Sequence, residues 1–224
     1  MQIDFTPAAV LFDMDGLMID SESAVMQCWI EAATLYGRTL DNKMLHDMVG
    51  LHEKLSFKLL CEYVPEPEAL VLAQTTDRLY HAKVAAGLPL KPGIMPLLTW
   101  LTDLGIPKAV ATSTRRDRAD LKLAQSGLIA HFPVVVTGSD IEHPKPAPDI
   151  YLLAAQRLEV EPTHCIVLED SEPGVRAALA AGMTPIQVPD LKQPSEALRA
   201  LGHRIVGSLA EAQALLQPIL QPKP

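Results

Sequence analysis

The chain has 224 residues, of which 48% are hydrophobic and 21% are charged, the balance of a globular protein with a sizeable core. Its formal net charge of −8 at pH 7 argues against binding of DNA or RNA through a broad basic surface. An anionic small molecule remains compatible with that charge, because a pocket can supply local positive charge of its own.

The cellular setting is predicted from three further features. No apolar run is long enough to cross a bilayer, and residues 1–11 have no basic region typical of a signal peptide. The three cysteines lack metal-ligand spacing, which fits reduced thiols in a reducing compartment. We therefore expect a cytoplasmic protein with no membrane partner and, since no coiled-coil or edge signal is visible, a monomer.

Short apolar runs predict buried strands of a parallel sheet. Taken in chain order, these runs cover residues 8–12, 108–111, 134–136, 165–168 and 185–188. Helical patterns lie between the later runs, at residues 94–104, 118–126, 149–158 and 174–181. Strands and helices in alternation predict an α/β fold with a doubly wound, mostly parallel, Rossmann-like sheet. The segment from Pro218 looks like a short tail.

Residues 20–86 interrupt that alternation with amphipathic stretches and no convincing strand. Turn residues flank the block on both sides, at Asp20 and Ser21 before it and between Gly87 and Gly93 after it. We predict an α/β core formed by residues 1–19 and 87–224, and an all-helical cap formed by residues 20–86.

The first strand is followed by two carboxylates, Asp13 and Asp15. In an extended chain, side chains two residues apart project to the same side, so these two carboxylates repel each other and favour a cation between them. Hard oxygen ligands favour Mg²⁺. A plain turn or a calcium loop is the alternative, although Leu17 and Met18 stand where a calcium loop would need further acidic residues.

Polar residues also follow the later strands. Thr112 and Ser113 end the second strand, where they would bind a phosphate oxygen or simply cap a helix. Lys145 lies among three prolines that stiffen its loop, which suggests a positioned cation instead of an ordinary surface lysine. Glu169 and Asp170 end another strand, where they would complete a metal site or cap the helix that follows.

These four motifs, in this order, resemble the haloacid dehalogenase superfamily, in its branch of phosphatases and β-phosphoglucomutase-like enzymes with a helical cap. The resemblance implies that Asp13 is the nucleophile that forms an aspartyl phosphate, and that Asp15 is the general acid and base. It implies that Mg²⁺ is held by the Asp13 carboxylate, the Asp15 carbonyl and Asp170, with Glu169 close by. The phosphate ligands it implies are Thr112, Ser113 and Lys145.

Substrate selection is expected in the cap, near residues 49–51. The candidate contacts are His46, His52, Glu53, Lys54 and Lys58, although charges at helical spacing are more often a solvated face. Sugar-phosphate mutases of this branch resemble the chain here but have an arginine where Glu53 stands, and an acid would repel a second phosphate. A phosphatase for a small phosphate ester, such as a sugar phosphate or nucleotide-type monoester, is therefore favoured over a mutase.

A phosphoaccepting receiver domain is the alternative from another class of protein. Receiver domains also combine a sheet, an acidic Mg²⁺ pocket and a lysine. They need neither a helical cap nor a second acid at the position of Asp15, so the sequence favours the enzyme.

Overall fold

The computed structural model describes residues 3–49 and 53–221, and its centre is a six-stranded parallel sheet in the order β3-β2-β1-β4-β5-β6. The fold class predicted from the sequence is confirmed by this sheet and its flanking helices. The strands are β1 (Ala9–Phe12), β2 (Lys108–Thr112), β3 (Val134–Thr137), β4 (Cys165–Glu169), β5 (Thr184–Gln187) and β6 (Arg204–Ile205).

Helices follow the strands in chain order and cover the sheet. Those between β1 and β2, which we call the helical insertion, are α1 (Ser21–Leu35), α2 (Asn42–Met48), α3 (Glu53–Leu60) and α4 (Glu66–Ala86). The others are α5 (Ile94–Asp103), α6 (Arg116–Gln125), α7 (Asp149–Leu158), α8 (Glu172–Ala180), α9 (Glu196–Arg199) and α10 (Leu209–Leu220). Within the described residues, no helix is both long and apolar enough to span a membrane.

The apolar strands are buried on both faces, as a parallel sheet between two helical layers requires. In β1, Val10 and Phe12 contribute to one hydrophobic cluster, whereas Ala9 and Leu11 contribute to the cluster on the opposite face. The helical insertion has a third cluster of its own, built on residues such as Trp29, which is separate from both faces of the sheet.

The two segments that connect the helical insertion to the sheet lie side by side. Ile19 forms an isolated antiparallel bridge with Leu90, and the Asp20 amide donates to the Pro89 carbonyl at 2.9 Å. The Lys91 amide donates to the Met18 carbonyl, also at 2.9 Å. Both connections therefore reach the sheet at one point, beside the end of β1.

The carboxyl-terminal part of the chain differs from the sequence prediction. Pro218 lies inside α10, so the prediction of a tail from that residue is wrong. Buried Leu209, Ala212 and Leu216 hold α10 against the core, and this packing outweighs the hydrogen bond that Pro218 cannot donate. Strand β6 has two residues, too few for an apolar pattern to reveal it.

Replacing Asp140 by asparagine should destabilise the fold at neutral pH by about 1 kcal/mol, after allowance for solvent screening. Burial opposes ionisation of Asp140, but hydrogen bonds from Thr137 and Arg116 outweigh it and lower its pKa from 3.8 to about 2. Because the folded-state pKa is lowered, ionised Asp140 stabilises the fold fully above the unfolded pKa of 3.8, and this stabilisation is lost as the pH falls through about 2. Denaturant titrations of wild type and Asp140→Asn should show a difference in free energy of unfolding at pH 7 that becomes smaller towards pH 3. A difference that does not change with pH would contradict a stabilising role for the ionised Asp140.

Candidate active site

Asp13 follows β1 directly and lies at the centre of the candidate site. Its amide donates to the Leu168 carbonyl at 3.0 Å, which ties it to the neighbouring strand, and the residue is only 7% exposed. The Lys145 Nζ donates to Asp13 Oδ1 at 2.6 Å, to Glu169 Oε1 at 2.7 Å and to the Ala111 carbonyl at 3.0 Å. One buried ammonium thus joins the ends of three neighbouring strands.

Asp15 lies two residues further on, with hydrogen bonds to both of its carboxylate oxygens. Thr114 Oγ1 donates to Oδ2 at 2.6 Å, and Lys122 Nζ donates to Oδ1 at 2.7 Å. Burial opposes ionisation, but the Lys122 ammonium and these hydrogen bonds outweigh it and hold the pKa of Asp15 below its usual 3.8. Asp15 is therefore an ionised carboxylate at neutral pH in this arrangement.

Glu169 ends β4 and is fully buried. Its Oε1 accepts from Lys145 and from the Tyr151 hydroxyl, at 2.7 and 3.0 Å. Its Oε2 accepts from the Ser171 amide and hydroxyl, at 2.8 and 2.9 Å. A Cβ on Gly174 would lie 1.6 Å from Oε1, so this carboxylate fits only because residue 174 has no side chain.

The acidic groups outnumber the cation that neutralises them. Burial and the nearby Glu169 carboxylate raise the pKa of Asp13 to about 7, although Lys145 opposes the shift. Burial together with Glu169 and Asp13 raises the pKa of the partly buried Asp170 well above 3.8. Burial opposes ionisation of Glu169, but Lys145 and the Ser171 hydrogen bonds outweigh it and lower its pKa, so the surplus of negative charge disfavours ionisation of Asp13 and Asp170.

A divalent cation fits this surplus, because the donors are hard oxygens. The implied ligands, Asp13, the Asp15 carbonyl and Asp170, include only two acidic side chains. In residues 3–49 and 53–221, no three His, Cys, Asp or Glu side chains form a metal-like group. Gly16, at φ 79°, lets the backbone pass close to Asp170, since a Cβ there would lie 2.5 Å from Oδ2.

Thr112 and Ser113 follow β2, which pairs directly with β1. Thr112 is 1% exposed, and its hydroxyl oxygen accepts from the Thr114 amide at 3.1 Å. Ser113 is exposed. The structure therefore brings Asp13, Asp15 and Lys145 to one edge of the sheet and ends β2 in hydroxyls beside them.

Comparison with known proteins agrees with this geometry. The family model for a haloacid dehalogenase-like hydrolase matches residues 7–182. The chain belongs to this family. The resemblance seen in the sequence is thereby confirmed, and so is the fold that it implies.

Curated members of the haloacid dehalogenase-like family include phosphatases similar to this chain. Fructose-1-phosphate phosphatase YqaB of Escherichia coli (strain K12) is 33% identical over 187 residues, covering 81% of this chain and 96% of that protein. Hexitol phosphatase A from the same organism is 31% identical, covering 92% of this chain and 97% of that protein. These relatives confirm the prediction of a phosphoric monoester hydrolase.

Solved structures of the family share the whole architecture. A family hydrolase from Deinococcus radiodurans R1, determined with bound phosphate and sodium, has a TM-score of 0.82 and 30% identity, covering 98% of this chain and all of that one. A putative β-phosphoglucomutase from Thermotoga maritima has a TM-score of 0.78 and 29% identity, covering 93% of this chain and 98% of that one.

Three cavities lie in or beside the helical insertion, and neighbouring cavities share lining residues. Asp170 lines the first, of about 270 Å³, and this cavity shares Glu22 and Val49 with the second, of about 150 Å³. The second shares Val25 and Trp29 with the third, which has about 610 Å³. The first cavity therefore adjoins the acidic site at Asp170, whereas the second is lined by the helical insertion and the third by the insertion together with Arg118 of α6.

The predicted substrate contacts on the helical insertion are only partly described. His52 and the side chain of Glu53 lie outside the described residues. Lys54 is exposed and lines the 610 Å³ cavity. His46 and Lys58 are exposed and line none of the three cavities described above.

Lys122, Thr114 and Tyr151 are site residues that the sequence analysis missed. Lys122 falls on the buried face of α6 with Ala119 and Leu123, so its position in the helical pattern is the signal that could have identified it. A lysine on an apolar helix face needs a buried acidic partner, and Asp15 is that partner.

Proposed function

We propose that this chain is a magnesium-dependent phosphatase that hydrolyses a small phosphorylated metabolite, of the sugar phosphate or nucleotide-type monoester class, through an aspartyl phosphate on Asp13. The observation that carries the proposal is the buried Lys145 ammonium shared between Asp13 and Glu169, with Asp15 two residues away. The similar phosphatases named for fructose 1-phosphate and for hexitol support a polyhydroxylated substrate.

In the first step, a carboxylate oxygen of Asp13 attacks phosphorus while the bond to the leaving oxygen breaks. Asp15 gives a proton to that oxygen, which leaves as an alcohol. In the second step, Asp15 removes a proton from a water molecule, whose oxygen attacks the phosphorus and releases phosphate and the free Asp13 carboxylate. The ionised state of Asp15 described above suits this second step directly, whereas the first step requires Asp15 to have taken up a proton.

Lys145 would neutralise phosphoryl oxygens as they approach Asp13, and the Thr112 hydroxyl and Ser113 amide would bind the remaining oxygens. Glu169 would position Lys145, because both of its oxygens already accept hydrogen bonds. The Asp13 carboxylate, the Asp15 carbonyl and Asp170 would hold Mg²⁺. When bound, the ion supplies charge neutralisation for the phosphoryl group.

The helical insertion would act as a cap that excludes water from the first step and opens for product release. We propose residues 20–86 as this cap and the remainder as the catalytic core. The cytoplasmic location and the monomeric state stay predictions.

Phosphate release tests the proposed function. We expect turnover of several sugar, polyol or nucleotide monophosphates with Mg²⁺, loss of turnover in EDTA, and recovery when excess Mg²⁺ is restored. Turnover that persists unchanged in EDTA would contradict the metal assignment. Conversion of a sugar monophosphate to its isomer without phosphate release would favour a β-phosphoglucomutase-like mutase.

A further inference from the structure

Lys122 is a buried lysine next to the proposed site that the mechanism above does not use. Its side chain is 7% exposed, and it extends from α6 to Asp15, where Nζ lies 2.7 Å from Oδ1. A charged group at this depth is stable only with a compensating partner, and Asp15 supplies it. Burial would lower the pKa of Lys122, but the Asp15 carboxylate outweighs it and raises that pKa above 10.5.

The Asp15 carboxylate is held from two directions. Lys122 donates to Oδ1, while Thr114, in the loop before α6, donates to Oδ2 at 2.6 Å. Two donors on the two oxygens of one carboxylate fix both its position and the orientation of its plane. An acid–base group must lie within hydrogen-bond reach of the atoms between which it transfers protons, so this orientation decides whether Asp15 can act.

Lys122 also contacts the helical insertion. Its Nζ lies 5.4 Å from the centroid of the Tyr80 ring, which belongs to α4. Tyr80 lines the 610 Å³ cavity together with Arg118 of α6, so the contact lies at the boundary between the insertion and the core. A cation over an aromatic face is attracted to it, and the attraction is greatest where water is excluded.

We propose that Lys122 is a positioning residue that orients the Asp15 carboxylate for proton transfer. Through the contact of Lys122 with Tyr80, this orientation depends on how the helical insertion packs against the core. The proposal rests on the proposed function, since it assigns Lys122 a part in the same reaction. Lys122 acts on the reaction through Asp15, and the proposal gives it no contact with the substrate.

The decisive comparison is between Lys122→Met and a matched control, Lys108→Met. Lys108 is also a buried lysine, but its Nζ bonds Thr102 and the Ile106 carbonyl, away from the acidic site. We expect Lys122→Met to lower kcat about 100-fold with little change in KM, within the range for loss of acid–base assistance. The Lys108→Met variant should keep kcat within a few-fold of wild type.

A second readout separates positioning from general damage to the fold. With p-nitrophenyl phosphate, whose leaving group needs no proton, the first step should proceed in Lys122→Met while water attack is slowed. Acid-quenched reactions should then contain more covalently bound phosphate per enzyme molecule than wild type. A smaller fraction of folded enzyme would lower that amount instead.

Two further variants keep the proposal testable if Lys122→Met does not fold. Lys122→Arg retains the charge, and its kcat should be at least about tenfold higher than the kcat expected for Lys122→Met. Tyr80→Leu should lower kcat about tenfold, while Tyr80→Phe, which keeps the ring, should stay within a few-fold of wild type.

Equal kcat values for Lys122→Met and Lys108→Met, or no rise in covalently bound phosphate, would overturn the positioning role. Equal effects of Tyr80→Leu and Tyr80→Phe would overturn the link to the helical insertion. Failure of the wild-type protein to release phosphate from any ester would instead overturn the proposed function, so the two failures are distinguishable.

Discussion

Replacing Asp13 by asparagine should lower kcat for phosphate release at least about 10⁴-fold, because a neutral amide cannot serve as the attacking oxygen. The fold should survive the change. Burial and Glu169 raise the folded-state pKa of Asp13 to about 7, above its usual 3.8, so the charged carboxylate is disfavoured in the folded state at neutral pH. We therefore expect the Tm of the variant to equal or exceed that of wild type, measured without added metal at pH 7.

The control for this prediction is Asp103→Asn, the same chemical change at the exposed end of α5. It should leave both kcat and Tm near the wild-type values. Turnover by Asp13→Asn at a rate comparable to wild type would exclude Asp13 as the nucleophile. A steep fall in Tm would show instead that the ion pair with Lys145 outweighs the cost of burying the carboxylate.

Replacing Lys145 by methionine should lower kcat/KM about 10³-fold, since the ammonium neutralises charge where a phosphoryl group would meet Asp13. It should also destabilise the protein in EDTA by about 3 kcal/mol, because the buried carboxylates of Asp13 and Glu169 lose the cation they share. Denaturant titration should show part of that loss restored by Mg²⁺.

The comparison with Lys108→Met tests whether any buried lysine would give the same result. Within residues 3–49 and 53–221, the Lys108 ammonium donates to the Thr102 hydroxyl and the Ile106 carbonyl and to no carboxylate, and burial lowers its pKa, so its removal should not destabilise the fold in this way. A Lys145→Met protein as stable in EDTA as wild type would mean that the carboxylates take up protons at little cost. A kcat/KM of the Lys145→Met protein equal to that of wild type would exclude Lys145 from the site.

The parts of this fold that could be predicted from the sequence are those that depend on short, local sequence patterns. Continuous apolar runs predicted β1 to β5, because a strand covered on both faces is mainly apolar on both of them. Asp13 and Lys145 stood out because one ends a strand and the other lies among prolines. They meet at 2.6 Å because the loop between β3 and α7 carries Lys145 past the end of β2 to the end of β1.

Other parts depend on long-range packing that no local pattern records. The helical pattern places Lys122 on the buried face of α6, but its partner is known only once α6 is placed against the end of β1, where Asp15 lies. The close approach of Gly174 to Glu169 likewise appears only once α8 is packed after β4. Sequence periodicity indicates which face of a helix is buried, but not which charged group that face meets.

The pairing of Ile19 with Leu90 has a consequence for how such proteins diversify. Because the chain leaves and re-enters the sheet layer at adjacent, hydrogen-bonded points, both connections of the segment between them can be exchanged at one place. A replacement segment from another family member would need to match this junction and the surface around Tyr80. It would also need to replace the carbonyl groups of Asp47 and Val49 that accept hydrogen bonds from Lys192. If the proposed cap selects the substrate as expected from the sequence, transplantation of residues 20–89 should change the substrate range while the catalytic residues of the core stay the same.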